Sequence, residues 1–188
     1  MNRAGYVNDA INEYAVLYKF KAADYHLTIM RKILDDGLVT YDAARRLEGD
    51  AREVAFARNE EFFWHFEAFL FQLLAAFELV LQELNVRRHL GIRRDRVDWR
   101  TISQCLPDDP VITHLAAVRS EDWFGDIKNA RHEAAHRGPP FFEAVAKGDK
   151  ILVMAFHGRD VFQVCGAWLQ NARNALQRAV RLMREASR

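Results

Sequence analysis

Sulfur is scarce in this chain. Its two cysteines, Cys105 and Cys165, are far apart and match no metal-ligand or redox spacing. That excludes a disulfide-stapled scaffold, a zinc ribbon and a thioredoxin-type motif. With no signal-peptide pattern, reduced thiols in a cytoplasmic protein are expected. Proline (4) and glycine (9) are also few. No low-complexity segment, internal repeat or linker to a second domain is visible, so residues 1–188 read as one domain. A long uninterrupted apolar run is missing too. Phe62 to Leu84 comes nearest, but Glu67, Gln72, Glu78, Gln82 and Glu83 break it. Burying those groups in lipid is costly, so a buried core helix is expected and no membrane partner.

Net charge is nearly absent, at +1, but it is unevenly spread. Residues 1–86 carry 9 basic and 14 acidic side chains, and residues 87–188 carry 18 and 12. The basic half includes Arg87, Arg88, Arg93, Arg94, Arg96 and Arg100, a surface that suits a polyanion or simply a solvated loop.

What is present is helix. Half the residues are hydrophobic and 28% are charged, which is ordinary for a globular chain long enough to bury a core. Ile11, Ala15, Tyr18, Ala22, Leu27, Met30 and Leu34 recur at helical spacing, and Gly37 stops that run. Thr40 or Asp42 caps a second helix reaching about Ala57, which runs on or kinks into an aromatic segment from Glu60 to Leu90. The apolar residues of that segment cover nearly its whole circumference, so it is expected at the centre of the bundle. His65 lies among them and reads as a hydrogen-bonded core residue. Asp108-Asp109-Pro110 starts a short helix, and Ser120-Glu121-Asp122 restarts one that ends at Gly138-Pro139-Pro140. Lys147-Gly148-Asp149-Lys150 suits the turn of a β-hairpin within 141–156. The last helix carries an apolar stripe of Val161, Cys165, Trp168, Ala172, Leu176, Ala179 and Met183. The expected fold is an all-α bundle of about five helices with one small hairpin.

The chemistry concentrates in Arg131-His132-Glu133-Ala134-Ala135-His136. On a helical wheel at 100° per residue, Trp123, Phe124, Ile127, Ala130, Ala134 and Ala135 form an apolar face. Asn129, His132, Glu133 and His136 fall on the other side. Arg131 projects within the apolar arc and needs a carboxylate, a carbonyl or a charged ligand.

His132-Glu133-x-x-His136 satisfies the zinc-hydrolase pattern of two histidines one turn apart with a glutamate to polarise bound water. A third ligand at an accustomed spacing is absent. Pro139 and Phe142 occupy the positions where metzincins carry glycine and histidine, and Glu143, Asp149 and His157 stand at unfamiliar distances along the chain. A zinc hydrolase is the third reading.

Arg-x4-His alone means little in a chain with 21 arginines and 7 histidines. Its context carries more. Ile127 to Gly138 resembles the signature helix of HEPN-like proteins, with Arg131 and His136 in the two key places and His132 in the polar position after the arginine. Phe62-Phe63-Trp64-His65-Phe66-Glu67-Ala68-Phe69-Leu70 is similar to the central helix of uncharacterised helical proteins carrying that signature. The resemblance spans about residues 60–180, and its sharp part is a dozen residues. It implies an RNA-binding protein or a metal-independent endoribonuclease that needs no cofactor. His136 would move a proton as the ribose 2′-hydroxyl attacks phosphorus, and Arg131 would hold the phosphate. His132 would assist, and the flanking Lys128, Asn129 and Arg137 would bind RNA. It also implies a homodimer, and in some members an antitoxin-like partner. The plainer alternative is a non-enzymatic helical protein whose motif helix is a dimer interface. In that case Arg131 pairs with Glu67 or Glu78, and His136 caps a helix end.

Overall fold

A computed structural model describes the backbone of residues 3–137 and 142–185, and the side chains of residues 14–135 and 142–185. Two long helices form its frame. α1 spans Arg3–Asp35 and α3 spans Gly49–Arg87. They run antiparallel, because Lys19 bonds Gln72, His26 meets His65, and Arg58 pairs with Asp36.

The expected helix from residue 40 to about 57 is interrupted. α2 covers only Tyr41–Arg46, its first turn capped by the Thr40 hydroxyl, which accepts from the Ala43 amide at 3.2 Å. Leu47 and Glu48 are then extended, and Gly49 takes φ +54, a left-handed conformation that glycine tolerates best. Arg52 folds back and donates to the carbonyls of Leu47 and Arg45 at 2.6 and 2.8 Å. Carbonyls that the end of α2 leaves open are thereby satisfied.

α3 carries the core. Phe62, Phe66, Phe69, Leu70, Leu73, Phe77, Val80 and Leu84 are buried along it against α1, α6 and α7. It is not enclosed on all sides, as its composition suggests. Trp64 is 62% exposed and Phe71 54%, so one apolar strip of this helix is left uncovered. α3 is also the one described helix long and apolar enough to cross a membrane by length and composition.

Beyond α3 the basic segment contains structure. A 3-10 turn at Arg94–Arg96 precedes α4, Trp99–Cys105, which is capped by the Asp98 carboxylate bonding the Thr101 amide at 2.7 Å. α5, Pro110–Arg119, begins as Asp109-Pro110 indicates, and α6 spans Asp122–Arg137. Its expected stop at Gly138-Pro139-Pro140 lies outside the described residues. The hairpin is present as β1, Glu143–Lys147, and β2, Lys150–Phe156, turning at Gly148 with φ +63. A short third strand, β3 at Arg159–Asp160, extends the antiparallel sheet in the order β1-β2-β3. The sheet is tied to the α1–α2 connection by Thr40 donating to the Asp149 carbonyl and Ile151 donating to the Leu38 carbonyl, at 3.0 and 2.9 Å.

α7, Val161–Glu185, closes the fold, and every residue of its expected stripe is buried. Among the described residues the chain thus has seven α-helices and one three-stranded sheet, a mostly helical fold with more helices than expected.

Candidate nucleic-acid interface

α6 docks antiparallel on α3. Near its start, the Phe124 ring meets Phe77 edge-on with centroids 5.1 Å apart, and further along Arg131 reaches Phe71. Phe124, Ile127, Ala130 and Ala134 are its buried spine. The apolar arc is narrower than the wheel indicates, since Trp123 is half-buried and Ala135 exposed. The small side chains at 130 and 134 let the helix approach closely, so only a thin stripe is covered.

That narrowing relocates Arg131. It is exposed at the edge of the arc, with its guanidinium 5.3 Å from the centroid of the Phe71 ring. Among the described residues no carboxylate pairs with it, so the expected partners Glu67 and Glu78 are not used. A cation over an aromatic face keeps its charge and its donors available to a ligand. Lys128, Asn129 and His132 are exposed on the same helix, and Glu133 is half-buried. His136 and Arg137 complete the helix, and their side chains lie outside the described residues.

One of the candidate third zinc ligands is engaged elsewhere, since Asp149 pairs with Arg46 across to α2. Among the described residues no three histidine, cysteine or carboxylate side chains converge.

The basic run is largely answered by its neighbours. Arg87 pairs with Glu83 at 2.6 Å, Arg88 with Asp109 at 2.8 Å and Arg93 with Asp95 at 2.9 Å, while Arg94 bonds Gln82 at 3.1 Å. A polyanion would therefore meet less positive charge there than the residue count suggests.

One titratable pair was not visible in the sequence, because its members lie on different helices. His26 of α1 and His65 of α3 place their Nδ1 atoms 2.8 Å apart. One ring must donate and the other accept, so the pair shares a single proton at this contact. Tyr25 packs edge-on against both rings, with centroids 5.5 and 6.4 Å away, and Glu61 lies 3.8 Å from His65 Nε2. Burial, and then the charge of His65, hold the His26 pKa below its ordinary value. The unfolded chain therefore binds more protons here than the folded one at pH values below about 6.5. This contribution to stability is present above that pH and shrinks as the pH falls toward the folded-state pKa. The urea midpoint of the wild type should accordingly drop more between pH 7.5 and 5.5 than that of a His26→Gln variant. Parallel pH profiles would show that the pair is not coupled to folding.

Comparison with protein-family models, curated proteins and solved structures found no match to this chain.

Proposed function

We propose that the protein is a HEPN-like RNA-binding homodimer that acts as a metal-independent endoribonuclease, with α6 as its working helix. The observation that carries this reading is Arg131, exposed beside His132 and set against an aromatic ring instead of a carboxylate. A guanidinium in that state is a ready partner for a phosphate, bidentate in geometry and always charged. Lys128 and Asn129, exposed on the same helix, extend the cationic and polar surface. In the cleavage step the ribose 2′-hydroxyl attacks phosphorus and the phosphorus–O5′ bond breaks. The 2′ proton leaves to a base, and a proton is supplied to O5′. An imidazole titrates near neutrality and serves either transfer, which is the role given to His136. Arg131 stabilises the charge gathering on the phosphate oxygens.

The test is digestion of single-stranded RNA in EDTA by wild type, His136→Ala and Arg131→Ala. Cleavage by the wild type and none by His136→Ala are expected. Arg131→Ala should bind RNA about tenfold more weakly, as expected when one charge-assisted phosphate contact is lost. Equal cleavage by all three preparations would assign the activity to a contaminant and remove the catalytic claim.

The second reading, a non-enzymatic interaction protein, is favoured by the uncovered strip of α3. Trp64 and Phe71 are seven residues apart, with half-buried Ala68 between them, and so share one helix face. A second copy of the chain is the partner proposed for that face. Sedimentation of the wild type should then give a dimer, and Trp64→Glu a monomer of unchanged helicity. A dimer with no measurable RNA affinity would select this second reading over the first.

A further inference from the structure

α1 and α7 leave an open groove of about 490 Å³ between them. Its floor is apolar, made of Val16, Phe20, Leu176 and Val180. Cations stand along both walls. Lys21 projects from α1, and Arg173 and Arg181, about two turns apart, project from α7. All three are exposed, and among the described residues no carboxylate pairs with any of them. Asp24 is the one acid among the lining residues, so the groove is positive on balance. On the α1 side the groove continues into an uncovered apolar face. Tyr14, Leu17, Tyr18 and Tyr25 are between 49% and 66% exposed. With Lys21 they fall within about 100° of the helix circumference. Tyrosine and arginine are residues that protein interfaces concentrate.

We propose that this groove receives an acidic amphipathic helix of a partner protein, its apolar stripe on the floor and its carboxylates toward Lys21, Arg173 and Arg181. The spread of charge selects that occupant. Arg173 and Arg181 are about 12 Å apart along α7, so the single carboxylate of an acyl chain answers only one end. A nucleic acid would use the cations and none of the apolar floor. A helix with acids on both flanks of its apolar stripe matches the two walls and the floor together. The proposal is independent of both readings above, because no residue in it belongs to α6 or to the exposed strip of α3.

The probe is a synthetic peptide of about 14 residues, with leucine at i, i+3, i+4 and i+7 and glutamate flanking that stripe. Two controls share its length. One has the same residues in scrambled order, and the other keeps the stripe with lysine for every glutamate. Full-length protein should bind the acidic amphipathic peptide at least about tenfold more tightly than either control, since scrambling loses the stripe and lysine is repelled. Intermolecular NOEs from the peptide leucines should reach the Leu17 and Val180 methyls. Arg173→Glu combined with Arg181→Glu changes only exposed side chains, and this folded variant should transfer its preference to the lysine peptide. Absence of binding, equal binding of the scrambled peptide, NOEs to another part of the surface, or an unchanged preference in the variant would each overturn the assignment. Displacement of the peptide from those methyls by a lower concentration of dodecanoate would overturn it in favour of a single-headed lipid anion. Self-association of the wild type that is lost in the variant would overturn it in favour of a second copy of the chain.

Discussion

Phe66→Ala is expected to lower the unfolding free energy by about 3–5 kcal/mol, the range for deleting a fully buried phenylalanine. Phe66 is 0% exposed at the middle of the α3 core. Its ring meets Phe142 edge-on at 4.9 Å and Phe156 at 5.9 Å, so it joins the helical frame to β2 and to the residue before β1. Truncation removes apolar area, leaves a void that stiff neighbours cannot close, and loosens the attachment of the sheet. Phe66→Leu keeps most of the volume and should cost less than about 1.5 kcal/mol. Equilibrium denaturation in urea measures both. A loss below about 1 kcal/mol for the alanine variant would mean that the site collapses readily and that the sheet is not held through this ring.

Asp109→Ala should cost about 2–4 kcal/mol, because this carboxylate serves two structural purposes. One oxygen caps α5 by accepting from the Val111 amide at 2.8 Å. The other accepts from Arg88 Nε, also at 2.8 Å. Neither side chain is well solvated, with 7% of the Asp109 side chain exposed and 18% of that of Arg88. Removing the aspartate opens the cap and strands a poorly hydrated guanidinium together. Arg88→Met also leaves a charge without its partner, the Asp109 carboxylate, but that carboxylate keeps the Val111 amide and the N-terminus of α5, so this variant should be milder. Denaturation midpoints that rank Arg88→Met below Asp109→Ala in stability would contradict this division of roles.

Asp109 also shows what can be read without a structure. An aspartate before proline marks a helix start through purely local chemistry, and α5 begins there. The stripe of α7 is equally local, since a helix with one apolar face needs only a single surface to lie on. The hairpin turn follows from the left-handed preference of Gly148. The break between α2 and α3 is different. Residues 41 to 57 favour helix except at Gly49, whose left-handed φ of +54 marks the break, while Arg52 reaches back over the turn to close the end of α2. Gly49 is a local signal, but the closure by Arg52 is not.

The candidate sites divide in the same way. Arg131, His132 and their neighbours were legible as a cluster because one helix carries them all. Their exposure was not, because a helical wheel assumes the width of the buried arc, and that width depends on which elements lie against it. Four buried positions along α6 leave Arg131 at the rim with Phe71 beneath it. His26 with His65, and the two walls of the α1–α7 groove, come from separate elements, so their meeting depends on how those elements pack.

By itself, then, the sequence determined that the chain is mostly helical, where several helices begin, and which dozen residues hold the densest chemistry, because caps, turns and apolar periodicity act within a few residues. Tertiary structure alone decided that Trp64 and much of Phe71 stay exposed, that Arg131 faces solvent beside the Phe71 ring, and that His26 meets His65. Periodicity records which side chains favour burial. Only packing determines how many neighbours there are to bury them.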